Sequence, residues 1–296
     1  MVNHIFLSFF VKIYRATVLN GDLIGFDYDS DGNISPFEST IPTIAGNPGQ
    51  TVNDEYNFTS FSAGLNYKIN NGAAVFGRYS KGASGRAADR NTYGTDGIAD
   101  VQFDEVAQFE VGYKKRLKNG IFNATLFSSK TEEGLSNELN RVVGNPFKAI
   151  GAELESAMRF GDFSVNGSVT YTKAEIDGDG PNAGNAPRRQ ADFVYNLAPT
   201  YSFGNSKQHL LGLTILGTSK SYAQDDNDLI MPGYAYLNAV VRVGLTEGLS
   251  LSLNANNLFD TVGVTEVEGN GNISAGLAVA RTISGRSTTM SLAYKF

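Results

Sequence analysis

The sequence predicts an all-β fold, an antiparallel transmembrane β-barrel of about twelve strands with short periplasmic turns and long extracellular loops. Three observations indicate it: the composition, the alternation of apolar with polar residues, and connections that are short and long in turn. Apolar residues make up 41% of the 296 residues and charged residues only 18%, with 33 Gly, 14 Tyr and 19 Phe. This mixture suits strands in which apolar and small polar residues alternate, rather than one large core.

The composition also excludes several classes of protein. No window approaches the roughly 20 consecutive apolar residues of a membrane-spanning helix, whereas barrel strands alternate in hydropathy and escape such a window. The absence of Cys excludes a disulfide framework and thiolate chemistry. A net charge of -6 argues against nucleic acid as a partner, because neutralising phosphates requires clustered Lys and Arg.

From Asn57 onward, alternating segments of about ten residues are joined by a tight turn and then by a long polar loop. Side chains alternate across a strand, so the apolar residues of each segment share one face. Aromatic residues recur at the ends of these faces, as at a membrane interface, which favours a barrel over a soluble sandwich. The predicted sets are Phe61, Ala63, Leu65, Tyr67 and Ile69; Ala107, Phe109, Val111 and Tyr113; Ile150, Ala152, Leu154 and Met158; Phe163, Val165, Val169 and Tyr171; and Phe193, Tyr195, Leu197, Tyr201 and Phe203.

Five short segments are rich in residues that accept positive φ and predict periplasmic turns. They are Asn70-Asn71-Gly72, Lys118-Asn119-Gly120, Gly161-Asp162, Gly204-Asn205-Ser206 and Thr246-Glu247-Gly248. The predicted extracellular loops are residues 20–56, 81–104, 130–146, 174–191, 222–233 and 258–286. Residues 1–56 hold a first strand within residues 5–18 and an acidic loop, and residues 57–296 hold the barrel hairpins.

The end of the chain resembles the barrels of TonB-dependent receptors. Leu249 to Asp260, LSLSLNANNLFD, is similar to the family's penultimate strand with its Asn-Leu-Phe-Asp ending. After Gly285 and Arg286 follows STTMSLAYKF, which resembles the final strand, and Phe296 resembles the signal read by the outer-membrane assembly machinery. FSAGLNYKINNGAAVFGRYSKG, FEVGYKKRLKNGIFNATLF and IGAELESAMRFGDFSVNGSVTYTKAEI are similar to hairpins of the family, so the resemblance covers most of residues 57–296.

The resemblance implies an outer-membrane protein of a Gram-negative bacterium, in contact with lipid and lipopolysaccharide. Such receptors import scarce small molecules, namely siderophores, haem, cobalamin or glycans, with energy that the TonB system passes through an amino-terminal plug. Their barrels normally have twenty-two strands, and neither the plug nor a TonB box is recognisable here. We therefore expect a fragment that is inactive alone and begins within a longer protein. The alternatives are a self-sufficient twelve-stranded pore or translocator barrel and a soluble calcium-binding β protein.

Residues 27–38, DYDSDGNISPFE, have the oxygen-ligand spacing of a calcium loop. Its positions 1, 3, 5, 7, 9 and 12 are occupied, in order, by Asp27, Asp29, Asp31, Asn33, Ser35 and Glu38. Pro36 and the following Ser-Thr-Ile-Pro segment oppose the helices that usually flank such a loop. The sequence leaves two interpretations open, a calcium site on an extracellular loop and an ordinary solvated acidic loop.

Other polar residues give weaker indications. Arg188, Arg189, Arg281 and Arg286 are candidates to contact an anionic ligand or lipopolysaccharide phosphate, or they are solvated loop charges. The segment Asp225-Asp226-Asn227-Asp228 is either a cation site or an ordinary acidic loop. The two His residues, His4 and His209, have no zinc-ligand spacing and no Ser partner nearby in sequence. We therefore expect no enzymatic activity.

Overall fold

A computed structural model describes residues 2–19, 23–25, 33, 42–44, 51–85, 103–136, 142–206, 208–268 and 279–295. Every regular element in these ranges is a β-strand, and they contain no helix long and apolar enough to cross a membrane. The strands are β1 (Val2–Leu19), β2 (Leu23–Gly25), β3 (Pro42–Ile44), β4 (Thr51–Asn70), β5 (Ala73–Gly85), β6 (Phe103–Leu117), β7 (Gly120–Ser136), β8 (Val142–Phe160), β9 (Phe163–Ile176), β10 (Phe193–Phe203), β11 (His209–Thr218), β12 (Ser221–Tyr222), β13 (Ile230–Met231), β14 (Tyr234–Gly244), β15 (Leu249–Asn256), β16 (Val264–Glu268), β17 (Val279–Thr282) and β18 (Ser287–Tyr294).

Twelve of these strands form one antiparallel sheet in the order β1-β4-β5-β6-β7-β8-β9-β10-β11-β14-β15-β18. Each strand pairs with the preceding and the following strand of this sheet, except that β1 and β18 at its two ends have one partner each. This order is expected when hairpins follow one another. The three short hairpins β2–β3, β12–β13 and β16–β17 lie in the long connections between sheet strands. This arrangement confirms the prediction of an all-β antiparallel fold with about twelve strands.

The register places the predicted apolar sets on one face of the sheet. Tyr67 of β4 lies opposite Val75 of β5, which lies opposite Tyr113 of β6. On this face Leu126 is 59% exposed and Ile150 is 61% exposed. An apolar face of this size would promote aggregation in water, whereas in a membrane barrel such a face contacts the hydrocarbon of the bilayer. We call it the lipid face and the opposite, more polar one the lumenal face.

All five predicted turns connect neighbouring strands of the sheet, which confirms their positions; Lys207, just after the fourth, lies outside the described residues. Gly161 and Gly204 adopt φ of 65° and 96°, conformations that favour glycine. The predicted bounds of the first three long loops are wrong, because β4 begins at Thr51, β5 continues to Gly85 and β7 to Ser136. A strand needs only about 9–11 residues to cross a bilayer, so these extensions lie beyond it, where the backbone ladder needs no apolar side chains.

Candidate ligand-binding site

Three connections at the end of the sheet opposite the short turns pack together, and we call them the loop platform. The platform consists of residues 177–192, 219–233 and 257–286, of which 269–278 lie outside the described part. Ala223, Met231 and Val267 are buried between the second and third loops, with Leu229 and Val264 packed against them. These loops therefore have an apolar core of their own, separate from the sheet, and this core holds them in a defined arrangement.

Asn227 joins the first loop of the platform to the second. Its Nδ2 donates to the carbonyl of Ala186 at 2.8 Å, and its Oδ1 accepts from the amide N–H of Ala186 at 3.0 Å. Nearby, the N–H of Arg188 donates to Oδ1 of Asp225 at 2.9 Å, and Nδ2 of Asn185 donates to the Asp225 carbonyl at 3.0 Å. The side-chain amide of Asn227 therefore satisfies both backbone groups of Ala186 and links the two loops.

Glu266 of the third loop forms two ion pairs, one with an arginine of the first loop and one with an arginine of its own loop. One carboxylate oxygen lies 2.7 Å from Nη2 of Arg189, and the other lies 3.0 Å from Nη1 of Arg281. The N–H of Arg189 also donates to the carbonyl of Tyr222 at 2.7 Å, which ties the first loop to the second. A single exposed ion pair contributes little to stability. A carboxylate shared by two guanidinium groups restrains the segments of both Arg189 and Arg281 at once.

Asn257, the first residue of the Asn-Leu-Phe-Asp segment, is the buried polar residue that closes the third loop. Its Nδ2 donates to the carbonyls of Thr261 and Ser284, at 2.8 and 3.0 Å, and its Oδ1 accepts from Thr261 N–H at 2.8 Å. Its own N–H donates to Oδ1 of Asn238 at 2.8 Å. Only 2% of Asn257 is exposed. Its hydrogen bonds therefore take the place of water at the backbone groups of Thr261 and Ser284, at the two ends of the loop.

Asp260, the last residue of the same segment, fixes the point where the chain returns to the sheet. It adopts a φ of 55°, and its Oδ1 accepts from the N–H of Arg286 at 2.8 Å. Arg286 immediately precedes β18, so this bond sets the start of the final strand. The segment that resembles the receptor family therefore has a structural role, because its first and last residues hold the two ends of the last loop together.

The remaining predicted site residues are distributed as follows. The side chains of Arg188 and Arg286 are exposed on the platform, whereas those of Arg189 and Arg281 are engaged by Glu266. Oδ1 of Asp226 accepts from the N–H of Asp228 at 3.1 Å, and the described residues contain no group of three His, Asp or Glu that could hold a metal ion. The side chains of Arg189, Arg281 and Asp226 are therefore used within the loops.

Most of the predicted calcium loop lies outside the described residues. Asn33 alone is described, and it is exposed. The positions outside are Asp27, Asp29, Asp31, Ser35 and Glu38, together with the carboxy-terminal Phe296. Calcium binding at this loop thus stays a prediction from the sequence.

Both His residues lie in the sheet. His4 of β1 lies opposite Asn66 of β4. Nδ1 of His209 accepts from the N–H of Gly244 at 3.2 Å, and its ring contacts Phe203 with centroids 5.1 Å apart. His209 therefore links the turn-side ends of β10, β11 and β14, which is a structural role.

The lumenal face carries charged and amide side chains in the middle of the sheet. Nε of Arg78 lies 2.7 Å from Oε2 of Glu110, and Nε2 of Gln108 donates to the other oxygen of that carboxylate at 2.8 Å. Glu110 has only 15% of its side chain exposed, less than the apolar residues on the opposite face. The polar wall of the sheet is thus held in a defined arrangement by its own hydrogen bonds.

The family model of TonB-dependent receptor-like β-barrels matches residues 21–258. The chain belongs to this family. Barrels of the family are outer-membrane proteins of Gram-negative bacteria and act as transport receptors, which confirms the expected location and the expectation that the chain is not an enzyme. Membership also excludes the soluble calcium-binding alternative. A search of curated proteins found no relative that matches the chain.

Solved structures of larger receptors share the fold. The siderophore receptor PiuA from Acinetobacter baumannii is 20% identical with a TM-score of 0.69, over 86% of this chain and 38% of PiuA. The ferric yersiniabactin uptake receptor FyuA from Yersinia pestis is 19% identical with a TM-score of 0.71, over 86% of this chain and 40% of FyuA. The ferric-catecholate import receptor Fiu from E. coli K12 is 17% identical with a TM-score of 0.66, over 98% of this chain and 42% of Fiu. The chain therefore spans less than half the length of these receptors.

Sequence reasoning missed the residues that hold the loop platform together. Glu266 lies in a polar segment whose alternation resembles any short strand, and nothing in its neighbourhood indicates two Arg partners. Asn227 lies in an acidic run, which by itself indicates a cation site or a solvated loop rather than a link between loops. One signal was available for Asn257, because it begins the segment that carried the family resemblance, although its buried role could not be read from the sequence.

Proposed function

We propose that the chain forms part of the barrel wall of a receptor that imports a ferric siderophore across the outer membrane. In this proposal the loop platform supplies part of the extracellular ligand surface. The observation that carries the proposal is the platform itself, three loops held in place by an apolar core and by the shared carboxylate of Glu266. Loops that are ordered before binding lose less entropy when a ligand arrives.

The structural neighbours named above support iron complexes as the ligand class, since PiuA, FyuA and Fiu are named for siderophore or ferric-complex uptake. Ferric complexes with catecholate or carboxylate donors are commonly anionic. The exposed guanidinium groups of Arg188 and Arg286 on the platform would supply charge-assisted hydrogen bonds to such oxygens. Haem, cobalamin and glycans remain the other ligand classes open to the family.

Transport additionally requires the TonB system and a plug, which we propose act through further segments of the complete receptor. The contribution of this chain would be the wall around the plug, with the Arg78–Glu110–Gln108 group facing the lumen. Lipid, lipopolysaccharide and the assembly machinery are the further partners that we propose for the lipid face and the end of the chain.

Calorimetry on the chain refolded in detergent micelles tests the proposed ligand class. The probes are the ferric complexes of 2,3-dihydroxybenzoate and of citrate, titrated into the parent chain and into Arg188→Gln/Arg286→Gln. We expect a saturable heat in the parent and a loss of affinity of about tenfold or more in the double variant, because two charge-assisted contacts disappear. Lys118→Gln/Arg159→Gln, at the turns after β6 and β8, is the charge-matched control. Heat from neither complex, or equal loss in the control, would contradict the proposal.

The alternative of a self-sufficient twelve-stranded pore has a separate test in planar lipid bilayers. We expect the chain alone to give no stable ion conductance, because an open sheet leaves backbone groups at β1 and β18 unpaired in lipid. Reproducible steps of uniform conductance would favour the pore.

A further inference from the structure

The lipid face contains an apolar groove, which we call the lipid-face groove. It crosses β7, β8, β9 and β10 and has a volume of about 320 Å³, within the range of small ligand sites. Most of its lining residues belong to the lipid face, with Phe122, Leu154 and Leu197 among them. These strands lie in the middle of the twelve-stranded sheet, so strands added at β1 or β18 would not cover the groove.

The register explains why the lipid face is hollow at this point. Phe122 lies opposite Ser156, Ser156 opposite Gly167, and Gly167 opposite Leu197. Two small residues therefore form a floor between two large side chains. A Cβ atom on Gly167 would lie 3.3 Å from Cδ1 of Leu197, so the leucine side chain leans over the glycine and forms one wall.

The next row of the same face closes the groove on the side of the long loops. Leu154 lies opposite Val169, and Val169 lies opposite Tyr195. All three residues line the groove. The floor of small residues thus lies beside a continuous row of large apolar side chains, a surface on which a hydrocarbon chain finds more contacts than on a flat face.

A lysine continues the row of the groove floor. Lys115 of β6 lies opposite Phe122 on one side and Ala73 on the other. It shares the lipid face with Tyr113, two residues earlier on the same strand. Lys115 is half-buried, and no carboxylate among the described residues forms an ion pair with it. A cation on an otherwise apolar face, beside a groove, favours an amphiphilic ligand with a negative charge.

The cation and the groove lie at different distances from the short turns. Lys115 lies two residues before Leu117, where β6 ends, whereas Ser156 lies four residues before Phe160, where β8 ends. Long basic side chains near a membrane surface extend their ammonium groups toward it. The charge is therefore placed nearer the membrane surface and the groove deeper in the hydrocarbon, in the order of the headgroup and acyl chain of a lipid.

We propose that Lys115 and the lipid-face groove together bind one anionic phospholipid. The Lys115 ammonium donates to a phosphate oxygen, and one acyl chain lies over Ser156 and Gly167. The short turns of such barrels lie on the periplasmic side, so the lipid comes from the periplasmic leaflet, which consists of phospholipid. The inference rests on the lipid contact proposed above for this face and does not depend on the imported ligand.

Native mass spectrometry on the chain refolded in detergent micelles tests the site, with dimyristoyl phosphatidylglycerol as the probe. We expect one lipid to bind the parent chain more tightly than the others that associate with it. Lys115→Gln should weaken this binding about tenfold, because the phosphate loses a charge-assisted contact. Ser156→Leu should also weaken it about tenfold, because the leucine fills the floor and displaces about two methylene groups of the acyl chain.

Two matched controls make the same changes elsewhere on the lipid face. Lys173→Gln alters a lysine opposite Ile150, and Ser128→Leu alters a serine opposite Phe109, both outside the groove. Both variants should bind phosphatidylglycerol like the parent. The parent chain supplies a measurement that needs no variant, since phosphatidylcholine, whose headgroup has no net charge, should bind about tenfold more weakly.

Equal affinity of the parent chain for the two lipids overturns the proposal, as does equal binding of phosphatidylglycerol by all variants. A species of twice the chain mass that Ser156→Leu abolishes would place a second copy of the chain in the groove, which also overturns it. These outcomes are distinct from those of the ferric-complex titration, which reports on the loop platform.

Discussion

The two ends of the sheet are stabilised in different ways. At the loop platform, specific side chains such as Asn227, Asn257 and Glu266 join three separate loops. At the turn end, the connections are only a few residues long, and Lys68, Lys114 and Arg116 remain without carboxylate partners among the described residues. Short turns need no side-chain links because the backbone hydrogen bonds of the two paired strands already close them.

Removal of the buried Asn257 side chain from the platform should have the largest effect on stability. We expect Asn257→Ala to lower the free energy of unfolding by about 2–4 kcal/mol, because buried backbone groups lose their partners and a non-glycine φ of 47° loses its favoured residue. Urea unfolding in lipid vesicles, followed by circular dichroism, measures the change. Asn256→Ala, at the exposed neighbouring residue, should change it by less than about 0.5 kcal/mol. Equal changes in the free energy of unfolding in the two variants would show that the buried hydrogen bonds of Asn257 do not stabilise the platform.

The turn end should respond to backbone packing rather than to side-chain hydrogen bonds. We expect Gly112→Ala to cost about 1–3 kcal/mol, since the new methyl group would collide with the Phe76 ring. Gly77→Ala is the matched control, because its Cβ would lie 3.8 Å from the Glu110 carbonyl, an ordinary contact. The same unfolding measurement applies. In a Phe76→Ala background the cost of Gly112→Ala should shrink, and an unchanged cost would contradict the stacking argument.

The ion pairs of the platform should contribute less to stability than to the order of the loops. We expect Glu266→Gln to lower the free energy of unfolding by about 0.5–1 kcal/mol, and less at high salt. Limited proteolysis should nevertheless cut residues 177–192 and 257–268 faster than in the parent. Glu247→Gln, in a short turn, should leave both the stability and the cleavage pattern unchanged. Parental resistance to protease in Glu266→Gln would show that the shared carboxylate does not restrain the loops.

The smallest effect concerns the predicted calcium loop. We expect calcium to give a saturable calorimetric signal with the parent chain that Asp27→Ala/Glu38→Ala abolishes, because these residues supply the first and last ligand positions. Asp226→Ala/Asp228→Ala, in the acidic segment of the platform, should retain the signal. No heat in the parent chain would end the calcium hypothesis.

Much of the fold follows from the sequence because a strand that faces lipid on one side must alternate. That Tyr67, Tyr113 and Leu154 lie on the apolar face of their strands could be predicted for that reason, and the Gly- and Asn-rich turns predicted the hairpins. Outside the bilayer the constraint disappears, so the ends of β4, β5 and β7 were not predictable. The platform contacts were harder still, since Glu266 meets Arg189 only after three loops have been brought together.

Within the bilayer, every second residue of the sheet strands is expected to contact hydrocarbon. The chain has no Cys, so single Cys residues can be introduced without background. Leu126 and Leu154 face lipid, and their neighbours Thr125 and Glu153 face the lumen. Each is replaced by Cys, labelled with a fluorophore in vesicles, and exposed to quenchers attached to lipid tails. We expect strong quenching at 126 and 154 and weak quenching at 125 and 153; equal quenching at all four positions, or the reverse pattern, would contradict the transmembrane assignment.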